Sequence, residues 1–194
     1  PEVIETGADR VRAHALFPFV VDPVMISKSG FKLLEDEAVG TLKDTLIPLA
    51  TTVTPNVHEA ALLAGYDILT MDDVKQAARD IFELGPESVL VKGGHLDDDP
   101  EAVDVLYAGD TFRSFTASRV DTSNTHGTGC TFASAIAAHL AHGRDLPEAI
   151  DRAKRYLTGA LRHSLDLGKG HGPTNHFFHL DADLAIAEVQ STAA

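Results

Sequence analysis

The chain has 194 residues, of which 44% are hydrophobic, and its 29 acidic and 16 basic side chains give a formal net charge of −13. This length and apolar content suit one sizeable domain with a buried core, which excludes a disordered protein. The excess of acids argues against nucleic acid as a partner, because phosphates would be repelled. A single cysteine cannot form an internal disulfide, and no apolar run is long enough for a membrane span or a signal peptide, so we expect a cytoplasmic protein with no membrane contact.

Helical and β-rich segments alternate from the first residues onward. Helices are predicted where apolar residues recur with the helical period, and strands where short apolar runs are bounded by turn residues. In chain order the prediction is helix 1–13, strand 17–23, helix 35–50, strand 51–56, helices 57–65 and 71–85, strand 88–94, a hairpin over 102–117, and helices 127–142, 147–167 and 181–190. Gly65 is expected to end the helix before it, and the hairpin is expected to turn at Gly109 and Asp110.

The order of these elements predicts an α/β protein with a mostly parallel sheet. Strand–helix alternation with continuously apolar strands is typical of a sheet that helices cover on both faces. No repeat or linker divides residues 1–194, so we expect a single domain. Ligands bind at the carboxyl ends of the strands in this architecture, and the residues that follow each strand should therefore share one rim.

Polar residues follow three of the predicted strands. Asp22 ends the first strand, Asn56 and Glu59 follow the second, and Lys92 ends the third. Asp22 and Glu59 could hold Mg²⁺, which keeps several waters and needs few carboxylates, and Lys92 could bind nucleotide phosphates. Taken singly, each residue also has a structural explanation, since Asn56 and Glu59 have the spacing of a capping box and a lysine at a strand end is usually solvated. Their convergence at one rim favours phosphoryl transfer.

The stretch SNTHGTGCTFASAIAAHLAHG, residues 123–143, changes from turn-forming residues to an alanine-rich apolar run. The junction at Gly127, Thr128, Gly129 and Cys130 therefore offers free backbone N–H groups and the positive end of a helix dipole, which suit an anion. The glycines could instead permit close packing of the helix on a strand. Cys130 on the first turn is expected to have a lowered thiol pKa and to serve as a general base, the alternative being a small residue that the turn tolerates.

Other chemistries are less well supported. The acidic stretch 95–102 lacks the glycine and glutamate pattern of an EF-hand and is interpreted as a solvated turn. His171, His176 and His179 lie in a Gly/Pro-rich segment, and their spacing fits no zinc pattern with a cysteine partner. The chain contains neither a P-loop motif nor the G-x-S-x-G elbow of serine hydrolases.

Several segments together resemble the ribokinase-like family, and more narrowly the hydroxymethylpyrimidine/phosphomethylpyrimidine kinases of thiamine biosynthesis. In chain order these segments are VVDPVMISKSG, TPNVHEAALLAG, VLVKGGHL, DTSNTHGTGCTFASAIAAHLAHG and GKGHGPTNHF. Sugar kinases of the same fold usually carry aspartate where Cys130 stands, and pyridoxal kinases usually do so too, although some cysteine-bearing members act on pyridoxal. The cysteine is what favours a pyrimidine kinase.

The resemblance implies a three-layer α/β/α fold of the ribokinase type and a kinase that uses ATP and Mg²⁺. Its substrate would be the hydroxymethyl group of 4-amino-5-hydroxymethyl-2-methylpyrimidine, and then the resulting monophosphate. Residues 127–130 would form the anion hole, and Val24 would line the pyrimidine pocket. The residues implied for the nucleotide phosphates and Mg²⁺ are Asp22, Asn56, Glu59 and Lys92.

Chains of that family begin with strands, a glycine-rich turn and a lid that have no counterpart ahead of the first predicted helix here. We therefore expect residues 1–194 to represent the C-terminal two thirds of the fold, without the N-terminal strands that carry most pyrimidine contacts and much of the dimer interface. The resemblance implies a homodimer for the full-length protein. A pyridoxal-type kinase and a non-catalytic nucleotide-binding remnant of the same fold are the alternatives.

Overall fold

The computed structural model describes residues 1–26, 31–93, 101–165, 167 and 170–180. The helices are α1 (Glu2–His14), α2 (Asp36–Thr41), α3 (Val57–Ala64), α4 (Met71–Phe82), α5 (Thr128–Ala141) and α6 (Leu146–Arg162). The strands are β1 (Val20–Val21), β2 (Thr52–Val53), β3 (Val89–Val91), β4 (Glu101–Ala108) and β5 (Thr111–Ser118). The helix predicted over 181–190 and most of the acidic stretch 95–102 lie outside the described residues. Within the described ranges no helix is both long and apolar enough to cross a membrane.

The five strands form one sheet in the order β1-β2-β3-β4-β5. β1, β2 and β3 run parallel, whereas β4 pairs antiparallel with both β3 and β5. The predicted α/β class and hairpin are confirmed, and the hairpin makes the sheet mixed. Gly109 and Asp110 have φ angles of 52° and 59°, and positive values at both central residues are the mark of a two-residue type I′ turn.

Apolar clusters on both faces of the sheet hold the helices in place. Val53, Val89 and Val91 belong to a cluster that includes buried residues of α3 and α4. Leu90 and Leu106 belong to a second cluster, with buried residues of α5 and α6. Because alternate residues of a strand point to opposite faces, the two clusters separate three layers, with α5 and α6 on one side of the sheet and α3 and α4 on the other. The expected α/β/α arrangement is present.

The helix predicted over 35–50 is a helical run whose winding changes along its length. α2 is followed by a π-helical turn at Leu42–Leu46 and a 3₁₀ turn at Ile47–Leu49. Pro48 has no backbone N–H and cannot continue the α-helical bonding pattern, so the tighter turn ends the run. Ala50 is extended, with φ −79° and ψ 133°, and leads the chain into β2.

α6 ends at Arg162 rather than at the predicted residue 167, because the chain folds back on the helix. The backbone N–H of Asn175 donates to the carbonyl of Ala160 at 3.0 Å. Phe178 is buried against Gly159, where a Cβ would collide with the phenyl ring. The absence of a side chain at Gly159 therefore creates the seat for the C-terminal segment.

We expect Gly159→Ala to destabilise the protein, because an added methyl group has no room beside the Phe178 ring. Overpacking of this kind costs about 1–3 kcal/mol. Gly7→Ala is the matched control, since Gly7 is also helical, a Cβ there would meet nothing within 4 Å, and alanine is the better helix former. Urea unfolding gives the free energy of unfolding of both variants. If Gly159→Ala is as stable as Gly7→Ala, the Phe178 ring does not require a glycine at 159.

Candidate active site

The carboxyl ends of the three parallel strands bring the predicted polar residues together. Lys92 forms an isolated parallel bridge with Asn56, and its backbone N–H donates to the carbonyl of Pro55 at 2.8 Å. Its ammonium group donates to Asp22 Oδ1 at 2.7 Å. The rim expected from the strand order is thus present, with residues that follow β1, β2 and β3 in contact.

The ion pair between Lys92 and Asp22 is mostly shielded from water. The two side chains are 13% and 14% exposed, so their attraction is screened less than that of a surface pair. The hydroxyl of Thr54 donates to the same Asp22 Oδ1 at 3.1 Å and fixes the carboxylate from a second side. Thr54 was not among the predicted site residues, although its place directly after β2 was a usable signal.

Glu59 completes a capping box with Asn56 at the start of α3. Asn56 Oδ1 accepts from the Glu59 N–H at 2.9 Å, and Glu59 Oε2 accepts from the Asn56 N–H at 2.8 Å. Burial raises the pKa of the Glu59 carboxyl and the charge of Asp22 adds to this, while the Asn56 N–H and the charge of Lys92 oppose it. The structural explanation for this pair is therefore correct, and the carboxyl nonetheless lies within electrostatic reach of the rim.

Asp22 and Glu59 are suited to Mg²⁺ by chemistry and environment. Mg²⁺ binds through one or two carboxylates, with water and phosphate oxygens completing its shell. A buried carboxyl with a raised pKa is costly to ionise, and a nearby cation offsets that cost. Across the described residues no group of three or more His, Cys, Asp or Glu side chains is placed to hold a metal, so His171, His176 and His179 do not form such a group.

Helix α5 begins beside the Lys92–Asp22 pair. Gly127 precedes the helix with φ 81°, in the left-handed region that favours glycine. A Cβ on Gly129 would lie 3.2 Å from Lys92 Nζ and 4.0 Å from Asp22 Oδ2. First-turn N–H groups have no partner within the helix and attract anions, and the ammonium group adds positive charge at the same point. The start of α5 and the ammonium group of Lys92 therefore present positive charge at one point, which suits an anion.

The loop that leads into α5 is fixed by the C-terminal segment. Asn124 is buried, and its Oδ1 accepts the N–H of Gly172 at 3.0 Å, a bond between residues 48 positions apart. The N–H of His126 donates to the carbonyl of Gly172 at 3.1 Å. A Cβ on Gly172 would collide with the Asn124 side chain, so glycine is required there. Our sequence analysis missed this contact, because nothing local in either segment points to the other.

Cys130 lies on the first turn of α5, as expected, and its side chain is exposed, but the expected lowering of its pKa is wrong. Partial burial raises the pKa of the thiol, and the charge of Asp22 and a hydrogen bond to that carboxylate raise it further. Glu59 acts in the same direction and Lys92 against it. Helix α5 begins where the sequence predicts, but the neighbouring acids Asp22 and Glu59 disfavour the thiolate form of Cys130.

Two grooves meet at Cys130. The smaller, of about 300 Å³, lies between the end of β1 and α5 and is lined by Asp22, Val24 and Cys130 together with small residues of α5. The larger, of about 570 Å³, follows α5 from Gly127 to His139. Val24 is 39% exposed. It lines the smaller groove together with the Asp22 carboxylate and the Cys130 thiol.

Comparison with known proteins identifies relatives over most of the chain. A family model described as phosphomethylpyrimidine kinase matches residues 1–175. The thiamine biosynthesis bifunctional protein ThiED of Geobacter sulfurreducens is 52% identical over 175 residues, which are 90% of this chain and 36% of that protein. The hydroxymethylpyrimidine/phosphomethylpyrimidine kinase of Bacillus subtilis is 43% identical over 176 residues, which are 91% of this chain and 65% of that protein. The chain thus spans less than two thirds of the length of either relative.

Solved structures of two activities share the fold. An ADP complex of Bacillus subtilis pyridoxal kinase superimposes with a TM-score of 0.83 at 39% identity, covering 91% of this chain and 65% of that chain. Pyridoxal kinase of Staphylococcus aureus with AMP-PCP and pyridoxal gives 0.83 at 35% identity, over 90% of this chain and 63% of that chain. Phosphomethylpyrimidine kinase from Clostridium difficile 630 gives 0.71 at 41% identity, over 81% of this chain and 63% of that chain.

We expect the Cys130 thiol to titrate above the ordinary value of about 8.5 in metal-free protein, because Asp22 and burial both disfavour the thiolate. Asp22→Asn should move the titration to lower pH, since it removes the nearest negative charge. As Cys130 is the single cysteine, the rate of iodoacetamide alkylation against pH reports this group alone.

Asp72→Asn is the control for that titration, because Asp72 is an exposed residue in the first turn of α4. A wild-type midpoint below that of a free thiol, or an equal shift in the two variants, would contradict the electrostatic account.

Proposed function

Because the chain belongs to the phosphomethylpyrimidine kinase family, we propose that it transfers the γ-phosphoryl group of ATP to the hydroxymethyl group of 4-amino-5-hydroxymethyl-2-methylpyrimidine, and then to the resulting monophosphate. The observation that carries this proposal is the placing of the Lys92–Asp22 pair beside the first turn of α5 and Cys130. Phosphoryl transfer requires positioned positive charge above all, and this rim supplies it from a side chain and from backbone N–H groups.

In the proposed reaction, residues 127–130 and Lys92 bind and orient the phosphates. The alcohol oxygen forms a bond to the γ-phosphorus while the bond from that phosphorus to the β,γ-bridging oxygen breaks, and ADP leaves. Asp22 and Glu59 would hold Mg²⁺, which supplies charge neutralisation to the phosphates when it is bound. Asn56 keeps Glu59 in place through the capping box.

The proton of the alcohol is proposed to pass to Cys130. Burial raises the pKa of the thiol and Asp22 raises it further, so compensating the charge of Asp22 would favour the thiolate that accepts the proton. Lys92 already compensates part of that charge, through the ion pair. Transfer of the proton to a phosphate oxygen is the competing route, and in that case the cysteine serves only as a small residue.

The alcohol is proposed to bind in the smaller groove, against Val24. That groove ends at Cys130, so an alcohol in it would lie beside both the proposed base and the anion-binding turn. The homodimer that the resemblance implies and the cytoplasmic location expected from the sequence stay predictions.

A pyridoxal kinase is the second candidate, because pyridoxal kinases of Bacillus subtilis and Staphylococcus aureus superimpose with a TM-score of 0.83. The rim that handles phosphate would serve either alcohol, so the choice between them depends on the groove. The pyrimidine is favoured by the family match and by the names of the curated relatives.

The deciding experiment supplies ATP and Mg²⁺ to the protein expressed from its complete reading frame, together with the pyrimidine alcohol, its monophosphate or pyridoxal. ADP release and mass spectrometry of the product give the rate for each. We expect both pyrimidines to be phosphorylated faster than pyridoxal. Faster turnover of pyridoxal would establish the second candidate. If the protein binds ADP but phosphorylates none of the alcohols, it is a non-catalytic nucleotide-binding protein of this fold.

For Cys130→Ala we expect kcat to fall by about 10²–10⁴, the range for loss of a general acid or base. Cys130→Asp restores a proton acceptor at the same place and should recover part of that loss. Initial rates with saturating ATP measure both variants. If the alanine variant keeps most of its turnover, the phosphate route is correct and Cys130 is not the base.

Glu59→Gln should separate the capping role from the metal role. Glutamine also accepts the Asn56 N–H, so the capping box and the midpoint of urea unfolding should be preserved. The Mg²⁺ concentration for half-maximal activity should rise by at least about tenfold, since disturbing even an outer partner of a metal has that effect.

The control for Glu59 is Asp73→Asn, because Asp73 forms the corresponding capping box with Thr70 on the exposed start of α4. That variant should leave the Mg²⁺ dependence unchanged. A Glu59→Gln protein with wild-type Mg²⁺ dependence would reduce Glu59 to its capping role.

A further inference from the structure

A second ion pair is more deeply buried than the pair at the rim. Lys154 Nζ on α6 donates to Asp104 Oδ2 on β4 at 2.6 Å, and the two side chains are 9% and 8% exposed. Taking two charges out of water is expensive, and apolar residues of similar size are often as stable in such a place. Stability alone therefore does not account for the pair.

The other oxygen of Asp104 reaches the backbone next to Lys92. Asp104 Oδ1 accepts the N–H of Gly93 at 3.1 Å, and this N–H belongs to the peptide group that joins Lys92 to Gly93. The N–H of Lys92 itself donates to the carbonyl of Pro55, so hydrogen bonds hold the backbone on both sides of the Lys92 Cα. The short strand β3 ends at Val91, so at this point the side chain of Asp104 supplies an acceptor beyond the end of the strand.

The fit around this peptide group is close. Val91 pairs with Val105 in the β3–β4 register, which places Asp104 and Val103 next to the residues that follow β3. A Cβ on Gly93 would collide with the carbonyl oxygen of Val103. The glycine therefore lets β4 approach closely enough for the carboxylate to reach the N–H.

We propose that Asp104 is a positioning residue for Lys92, holding the Lys92–Gly93 peptide so that the ammonium group meets Asp22 beneath the first turn of α5. Lys154 compensates the charge of Asp104 and allows it to act while buried. The proposal deepens the kinase function above and rests on it in one respect, the assignment of Lys92 to the phosphates.

The Asp104–Lys154 pair affects which acid Lys92 pairs with. Burial raises the pKa of Asp104, and the charge and hydrogen bond of Lys154, the Gly93 N–H and the charge of Lys92 all oppose that rise. With one oxygen bound to Lys154 and the other to Gly93, Asp104 is occupied on both sides. Lys92 is then free to pair with Asp22 rather than with the acid nearer to its own backbone.

The test uses two double variants that differ only at position 104. Asp104→Asn with Lys154→Met removes both buried charges and keeps an oxygen for the Gly93 N–H, whereas Asp104→Leu with Lys154→Met removes that oxygen as well. We expect the first to keep kcat/KM for ATP within a few-fold of wild type, and the second to lose at least about tenfold, since small misplacements of a catalytic group have large effects on rate. Rates are expressed per folded molecule, with the folded fraction taken from urea unfolding.

The same two double variants in a Lys92→Ala background separate positioning from a general structural role. If Asp104 acts through Lys92, leucine and asparagine at position 104 should give equal kcat/KM once the lysine is gone. A difference that persists in the Lys92→Ala background, or no difference in the presence of Lys92, would overturn the proposal. Should the leucine variant fail to fold, Asp104→Ala with Lys154→Met takes its place, with the same expected results.

Crystal structures of the two double variants supply a readout that does not depend on activity. The distance from Lys92 Nζ to Asp22 Oδ1 is 2.7 Å here, and we expect it to be kept with asparagine at 104 and lost with leucine. An intact pair in both structures overturns the proposal. If the wild-type protein phosphorylates none of the alcohols, the kinase function fails, and this distance still decides the role of Asp104.

Discussion

Lys92 extends across the end of β2 to bond Asp22, so a single ion pair ties the carboxyl ends of β1 and β3 together. With 13% and 14% of the two side chains exposed, water screens the contact little. Thr54 and the backbone of residues 55–56 lie between the two strand ends and contact one or both partners. The first turn of α5 lies beside the pair, and the two grooves meet at Cys130 on that turn. The contact with phosphate proposed for Lys92 depends on where this ammonium group is held.

The sequence was informative where a residue's role follows from its position along one element. Asp22, Asn56 and Lys92 could be placed at a common rim because each follows a strand, and strand ends converge in a parallel sheet. The capping box of Asn56 and Glu59 is visible in its spacing, and the hairpin in its Gly109–Asp110 turn. These features depend on local rules that one segment carries by itself.

Contacts between distant segments could not be predicted in the same way. Asp104 and Lys154 are 50 positions apart, and the alternation of β4 reveals only that an acid shares a face with Leu106. The raised pKa of Cys130 has a similar origin, because burial, Asp22 and Glu59 act on the thiol only in the folded chain. The 3₁₀ turn at Ile47–Leu49 could be expected from Pro48 in the sequence. The π-helical turn at Leu42–Leu46 has no such local signal.

The dependence of the loop before α5 on Gly172 has a consequence for the order in which the site is completed during synthesis. A chain emerging from the ribosome acquires β1, β2, β3 and the helix α5 well before residue 172 is available to bond Asn124. A domain folds largely as one unit, so the anion-binding turn gains its support only after residue 172 has been made. The Phe178 seat on Gly159 is filled later again. A ribosome that stops short of these residues would release a product that lacks the bonds holding the loop before α5.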